Sequence, residues 1–362
     1  MRLWFVSVGL ALCAFVATGC HREVEMIPLA TRTIYATDRF YDVQALGKDG
    51  AIVVGYGGKI LVTADGGRNW DIRPSGVSDG LFAVKMVDAT HGWIVGQDGL
   101  ILHTTDGAKT WERQDSHATI QDRDSPPQPI YLFAVEALDA QHAFAVGDRS
   151  IMVTTSDGGV TWKPKKVVAV SADQSESIVA ADPVLYDVKF LDSQRGWIVG
   201  EFGKIFHTTD GGETWHEQQK TLMDGTSIVD PLDLPTLFGV HLKGGDEALA
   251  AGLEGHIART TDAGQHWKFD SIEVDANVPL VDPLFDVTEL EDGSGWAVGA
   301  AGEVVRREAG ATAWKRAKLG QDVLTWLRGV DFADGQHGWL VGGYGLIFRT
   351  TDGGKSWLPA QG

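Results

Sequence analysis

The sequence predicts an all-β fold, a seven-bladed β-propeller of four-stranded antiparallel blades. Three observations predict it. One turn motif recurs seven times, each repeat holds four short apolar runs, and no helical period appears beyond the first twenty residues. The motif is TADGGRNW at 63–70, and it returns as TTDGAKTW (104–111), TSDGGVTW (155–162) and TTDGGETW (208–215). It continues as TTDAGQHW (260–267), a decayed REAGATAW (307–314) and TTDGGKSW (350–357). The closing tryptophans, Trp70, Trp111, Trp162, Trp215, Trp267, Trp314 and Trp357, are spaced 41, 51, 53, 52, 47 and 43 residues apart.

Within each unit the other elements follow in order. An apolar start such as LFAV (81–84) or LYDV (185–188) opens the repeat, a run such as HGWIVG (91–96) or RGWIVG (195–200) follows, and a Gly-centred turn leads to a further apolar pair. Runs of about five residues rich in Val, Ile, Phe and Trp and bounded by Gly and Asp read as strands. Four per unit make a blade, and a blade cannot bury both faces alone, so seven close radially. The innermost strands share a register of small residues: Asp42, Ala83, Ala134, Asp187, Gly239, Asp286 and Gly329. Small residues are expected where seven strands crowd one axis. Their period-two neighbours Gln44, Lys85, Glu136, Lys189, His241, Thr288 and Asp331 are mostly polar, which predicts a polar channel lined by the acidic Asp42, Asp187 and Asp286.

The repeated motif is an Asp box. Its Asp accepts backbone N–H groups within a tight turn, its Gly supplies positive φ, and its Trp buries a large ring. Asp65, Asp106, Asp157, Asp210, Asp262 and Asp352 are therefore expected to be structural, in turns between third and fourth strands. Near-identical carboxylates around a ring are a repeated scaffold, whereas catalysis needs unlike neighbours. The sixth unit has Ala309 at the Asp position.

The N-terminus, MRLWFVSVGLALCAFVATGC, has one cation, Arg2, an apolar stretch and small residues before Cys20. It reads as a secretory signal, too short to span a membrane. Ala17-Thr18-Gly19-Cys20 resembles a bacterial lipobox. That resemblance implies cleavage before Cys20, lipidation of Cys20, and, with His21 rather than Asp next, the periplasmic face of the outer membrane in a Gram-negative cell. The expected organisation is a signal peptide over 1–19, a lipidated tether over 20–36 and a single propeller over 37–362. Cys13 and Cys20 are the only cysteines; Cys13 would leave with the signal and Cys20 would be lipidated, so a disulfide is excluded. Removing residues 1–19 leaves 30 basic against 49 acidic residues, a net charge of −19. Such a chain is repelled by nucleic acid, which is excluded as a partner.

The combination HGWIVG–x–GxI–x–TTDGGxTW, spread over most of the chain, resembles the photosystem II stability and assembly factor family of seven-bladed propellers. The resemblance implies a non-catalytic, lipid-anchored scaffold that binds a subunit of a membrane protein complex, with no cofactor. It also implies an arginine-rich patch. Eight residues before each closing Trp stand Val62, His103, Thr154, His207, Arg259, Arg306 and Arg349. Arg259, Arg306 and Arg349, with Arg307 and Arg328 nearby, are the candidate partner-binding residues. The competing expectation sets each arginine between blades, on a carboxylate or a Trp. The second candidate surface is the long linkers 115–130, 168–184, 219–236 and 270–283, where Ile178, Val179, Ile228, Val229, Val278 and Leu280 sit among Asp182, Asp230, Asp275 and Asp282.

A glycosidase or glycan-binding protein is the alternative, because Asp boxes recur in sialidases and xyloglucan hydrolases. A paired-carboxylate site would have to come from Asp42, Asp187 or Asp286, and nothing in the sequence selects two of them. Trp326 is the one tryptophan of the mature chain outside the repeat positions, and core packing is expected of it. No metal-ligand spacing and no nucleotide motif appears, and a monomer is expected. The segment from Met26 to Tyr35 is a candidate to pair with the last blade and close the ring.

Overall fold

A second strand buried on both faces must be apolar at every position, and this requirement shapes the blades. Ala51–Gly55, Gly92–Gly96, Ala143–Gly147, Gly196–Gly200, Ala248–Gly252, Gly295–Gly299 and Gly338–Gly342 are buried along their whole length. In the computed structural model, which describes residues 32–120, 126–170, 182–224, 226–273 and 280–360, each is the second strand of a blade. The inner strands are Phe40–Ala45, Leu81–Met86, Leu132–Ala137, Leu185–Phe190, Leu237–Leu242, Leu284–Glu289 and Leu327–Phe332. Every blade runs inner to outer in sequence order, each strand antiparallel to the last. The fold is a seven-bladed propeller, and the helical residues described are short 3₁₀ turns.

Apolar packing lies between blades. Seven buried clusters occupy the seven seams, each mixing residues of two neighbours, as where Trp197 and Val199 of blade 4 meet Leu237 and Trp267 of blade 5. The seven closing tryptophans are all buried there. Truncating one, such as Trp267, to Ala removes about 3–5 kcal/mol of packing.

Two additions depart from plain repetition. Ser271–Glu273, leaving blade 5, pairs in parallel with Ala313–Arg316 and makes blade 6 five-stranded. Thr119–Ile120 and Gln128–Pro129 form a separate ribbon before blade 3.

Blade 7 supplies all four of its own strands, ending in Leu358–Pro359. Of the segment expected to close the ring, Met26 to Thr31 lie outside the described residues, and 32–35 form no strand. Ile34 packs against the seam cluster of Phe40, Trp339 and Ile347, the Gly345 N–H donates to the Asp38 carbonyl at 2.9 Å, and Arg39 bridges Gly343. The Ala45 N–H donates to Asp331 Oδ2 at 2.7 Å. Cys20 also lies outside the described residues, as do Ile178, Val179, Asp275 and Val278. No helix among the described residues is long and apolar enough to cross a membrane.

Candidate functional site at the axial mouth

The linkers between blades and the turns between second and third strands share one face. The Gly58 N–H donates to Asp79 O at 2.8 Å, Gln97 to Gly80 at 2.9 Å and Ser150 to Pro183 at 2.8 Å. The Asp boxes share the other face with the turns that follow the inner strands, as Gly66 bonding Asp49 and Gly107 bonding Thr90 show.

At the linker face every inner strand carries a bulge. Leu81 faces Gly96 and Ala83 faces Val95, so Phe82 has no partner across the ladder. The same skip isolates Tyr41, Phe133, Tyr186, Phe238, Phe285 and Arg328. A bulge breaks the alternation of a strand and re-aims the extra side chain. Here six aromatics and one arginine meet around the axis. Ring centroids run Tyr41–Phe82 5.4 Å, Phe82–Phe133 5.7 Å, Phe133–Tyr186 5.4 Å, Tyr186–Phe238 4.9 Å and Phe238–Phe285 5.5 Å. The Arg328 guanidinium lies 4.8 Å over the Phe285 ring, and Trp326 stacks on Tyr41 at 5.6 Å with planes 4° apart. All are half-buried. Tyr41, Phe82, Phe133, Phe285, Trp326 and Arg328 line a cavity of about 300 Å³. A larger hollow of about 870 Å³ lies beside blades 1 and 2, lined by the turn from Tyr56 to Lys59 and the linker 72–79. Its lining includes Asp38, Lys59, Arg73 and Arg113, and Lys59 and Asp38 pair with each other.

Arg328 is the one cation of this ring. Among the described residues it makes no ion pair and no hydrogen bond. Burial lowers its pKa, while Asp286, Tyr186, Asp42 and Tyr41 pull the other way.

One residue below the bulge lies the register of small side chains. A Cβ on Gly239 would sit 2.9 Å from the Phe285 carbonyl, so the crowding is real. The three aspartates in this register bridge blades. Asp42 accepts the Val43 N–H at 2.8 Å and, from blade 2, the Val84 N–H at 2.8 Å. Asp187 accepts Val188 and Val240, and Asp286 accepts Val287 and Val330, at 2.8–2.9 Å. Gln44 does the same with an amide, donating to Met86 O and accepting Met86 N–H. Burial pushes Asp42 and Asp286 up to about 7 against those N–H bonds, and raises Asp187. Lys189 lies 3.6 Å from Asp187. Burial opposes its charge, but Asp187, Glu136, Asp42 and Asp286 together raise its pKa. Lys85 pairs with the buried Glu136 at 2.8 Å.

The other arginines occupy different places. Arg259 bonds Asp270 at 2.9 Å and Glu289 at 3.0 Å, and Arg307 reaches the same Glu289 oxygen at 2.5 Å. Lys243 takes the other Glu289 oxygen at 2.6 Å, and the Trp314 indole N–H bonds Asp270 at 2.9 Å. This network is buried between blades 5 and 6. Arg306 stacks on Trp296 at 5.2 Å and pairs with Glu308 at 2.8 Å. Arg349 stacks on Trp339 at 5.6 Å and crosses the last seam to Asp49 at 2.5 Å. Arg259 and Arg307 come together; Arg306, Arg349 and Arg328 do not join them. The shared register has a local cause, because the third-strand residue pairs with the second-strand residue beside it. His103 stacks on Trp93 at 4.5 Å and His207 on Trp197 at 4.2 Å just as Arg306 and Arg349 cover theirs.

In the Asp boxes, bonding closes within the turn. Asp65 accepts Asn69 N–H at 3.0 Å and its amide at 2.7 Å, while Thr63 Oγ1 accepts the Gly67 N–H. Those bonds pull Asp65, Asp106, Asp157 and Asp210 down to about 2, with the backbone N–H or side chain of the box's fourth-following residue first among causes. Asp262 and Asp352 shift down too, against their own desolvation. Blade 6 keeps the turn through Ala311 N–H to Glu308 O at 2.9 Å. Among the described residues no group of three acidic, His or Cys side chains is placed to hold a metal.

The sequence reading passed over the aromatic ring. The sequence carries its signal: one residue before the small-register position stands an aromatic in six blades of seven, and Arg328 in the last. Trp326, expected in the core, is half-buried at the mouth, because it precedes the strand Leu327–Phe332 and projects toward Tyr41.

Comparison with known proteins agrees with the fold. The sequence profile described as "Photosynthesis system II assembly factor YCF48" matches residues 23–121 and 176–279, more than half of the chain. The chain is 25% identical over 182 residues to the photosystem II assembly lipoprotein Ycf48 of Synechococcus sp. strain CC9902, covering 50% of this chain and 47% of that protein. A structure described as YCF48 bound to D1 peptide superposes with TM-score 0.63 at 18% identity, covering 87% of this chain and 92% of that one. The GH74 xyloglucanase of Xanthomonas campestris superposes with TM-score 0.65 at 13% identity, over 91% of this chain but only 55% of the enzyme. At these identities both structures speak to the fold alone. On the profile match, this chain belongs to the photosystem II assembly factor Ycf48 family.

Proposed function

We propose that the protein is a lipid-anchored, non-catalytic scaffold, docking a segment of a membrane protein complex on the linker face of its propeller in the periplasm. The observation that carries this reading is the ring of seven bulged residues. Seven strands each depart from their ladder to aim a large side chain at one mouth. Bulges are retained where they re-aim side chains, and a convergent aromatic patch on a rigid scaffold is how proteins make binding hot spots.

Family membership supports the scaffold role, and a relative named an assembly lipoprotein supports the anchor at Cys20. The outer-membrane address rests on His21 following that cysteine. A related structure described with a D1 peptide supports a membrane-protein segment as the bound species. The non-catalytic part rests on the carboxylates: Asp42, Asp187 and Asp286 each commit both oxygens to backbone N–H groups of two blades. The Asp-box residues are committed to their turns. Four of the five candidate arginines already have intramolecular carboxylates, so partner binding is assigned to Arg328 and the ring beside it.

The test is a pull-down from solubilised membranes with the full lipidated chain, beside Phe82→Ser/Phe133→Ser and, as control, Lys109→Ser on the Asp-box face. The expected result is one membrane complex retained by wild type and control and lost by the mouth variant with its melting temperature intact. Equal recovery by all three would contradict the reading.

A further inference from the structure

The mouth contains a cation that no ion pair among the described residues satisfies. In every other blade the bulged residue is aromatic, and Arg328 alone breaks the ring. The Asp286 and Asp42 carboxylates nearby are turned to backbone N–H groups and lie outside ion-pairing distance of it. Its flat guanidinium rests on Phe285, which leaves its edge donors directed away from that ring. A guanidinium held on an aromatic face beside an apolar cavity presents one bidentate carboxylate site within a hydrophobic surround.

We infer that the mouth recognises an internal, extended segment of a partner polypeptide bearing an apolar side chain and an Asp or Glu two residues apart. The apolar side chain seats in the cavity against Tyr41, Trp326 and Phe82, and the carboxylate pairs with Arg328. This rests on the docking face proposed above and specifies its ligand. The two-residue spacing follows from an extended chain, whose side chains at i and i+2 share a face.

A passing segment fits better than a chain terminus because apolar surface continues outward on several sides. Tyr131, 38% exposed, contacts Phe82 and Phe133 on the blade 2–3 side. Leu324, 91% exposed, stands two residues before Trp326 in the linker from blade 6 to blade 7. Val281, 64% exposed, sits three residues before the inner strand of blade 6. A terminus entering end-on would contact one of these sides only. The charge balance agrees: on a chain with 49 acidic residues, a cation at the axis without an ion pair among the described residues is a selective point for an acidic ligand.

The experiment uses the full chain and blocked, fluorescein-labelled heptapeptides without terminal charges, alike except for one position: Phe-Ala-Glu, Phe-Ala-Gln or Phe-Ala-Lys at the centre. A fourth peptide has the Gln centre and a free C-terminal carboxylate. Binding is read by fluorescence anisotropy with wild type, Arg328→Gln and Arg328→Glu, each checked for an unchanged melting temperature. The Glu peptide is expected to bind wild type at least tenfold more tightly than the Gln peptide. That preference should vanish in Arg328→Gln and turn toward the Lys peptide in Arg328→Glu. Equal binding of Glu and Gln peptides that is lost in Phe82→Ser/Phe133→Ser would overturn the carboxylate inference and leave the docking face standing. Preference for the free-terminus peptide would overturn the internal segment in favour of a chain end. Binding of no peptide by wild type would overturn the inference outright, and the membrane pull-down would then decide the docking face separately.

Discussion

Two rings of aspartates circle the same axis, and the same residue type behaves oppositely in them. Asp65 on the outer turns and Asp42 at the axis each accept hydrogen bonds through both oxygens. Asp65 is pulled down to about 2 and Asp42 is pushed up to about 7. Hydrogen bonding lowers both; burial at the axis overrides it for Asp42. The difference extends to what the bonds hold. An Asp box closes on its own turn, whereas an axial Asp ties one blade to the next. The outer ring is a local device repeated, and the axis is where the blades become one object and where the ring of identical bulges admits one exception, Arg328.

The largest effect expected from this comparison is at a blade bridge. Asp187→Ala leaves the buried Val188 and Val240 N–H groups without acceptors and should cost about 2–4 kcal/mol, read from urea unfolding. Asp65→Ala exposes its turn to water and should lower the midpoint by clearly less. Equal losses would erase the distinction between local and bridging carboxylates.

The pH dependence sharpens it. Asp42 and Asp286, raised from 3.8 to about 7, contribute fully to stability below pH 4 and lose that contribution as pH rises through 7. The Asp boxes, lowered to about 2, contribute above pH 4 and lose it as pH falls through 2. His207 and His241, pushed down to about 4 by burial, contribute above 6.5 and lose it as pH falls toward 4. They oppose the axial aspartates over the same window, so the axial part is read as wild type minus Asp42→Asn. That difference should fall with rising pH between 4 and 7; a flat difference would place Asp42 in an ordinary carboxylate environment.

The smallest effect is at the decayed sixth turn. Ala309→Asp should gain less than about 1 kcal/mol, because Arg307 stands where other boxes have Thr and is held by Glu289. A gain equal to a full Asp box would show that the Thr is dispensable.

The fold was legible because its constraints are local and repeated: Asp, Gly and Trp at fixed offsets, and second strands apolar throughout. The small register at the axis was legible for the same reason. What stayed hidden depends on contacts between blades. The partners of Arg259, Asp270 and Glu289, lie eleven and thirty residues on, and no repeat offset announces them. The bulge was hidden too, since strict alternation would send Phe82 to the opposite face from Ala83 and away from any shared mouth. Ser271–Glu273 crossing to blade 6 has no signal beyond a short β-branched run.

The central claim is that partners meet the axial mouth and not the Asp-box rim. It is tested most directly by placing a benzophenone amino acid at Tyr131 or at Lys109 in the lipidated protein and irradiating intact membranes. The account predicts one discrete adduct with a membrane polypeptide from position 131 and none from 109. Adducts from 109 alone would contradict it.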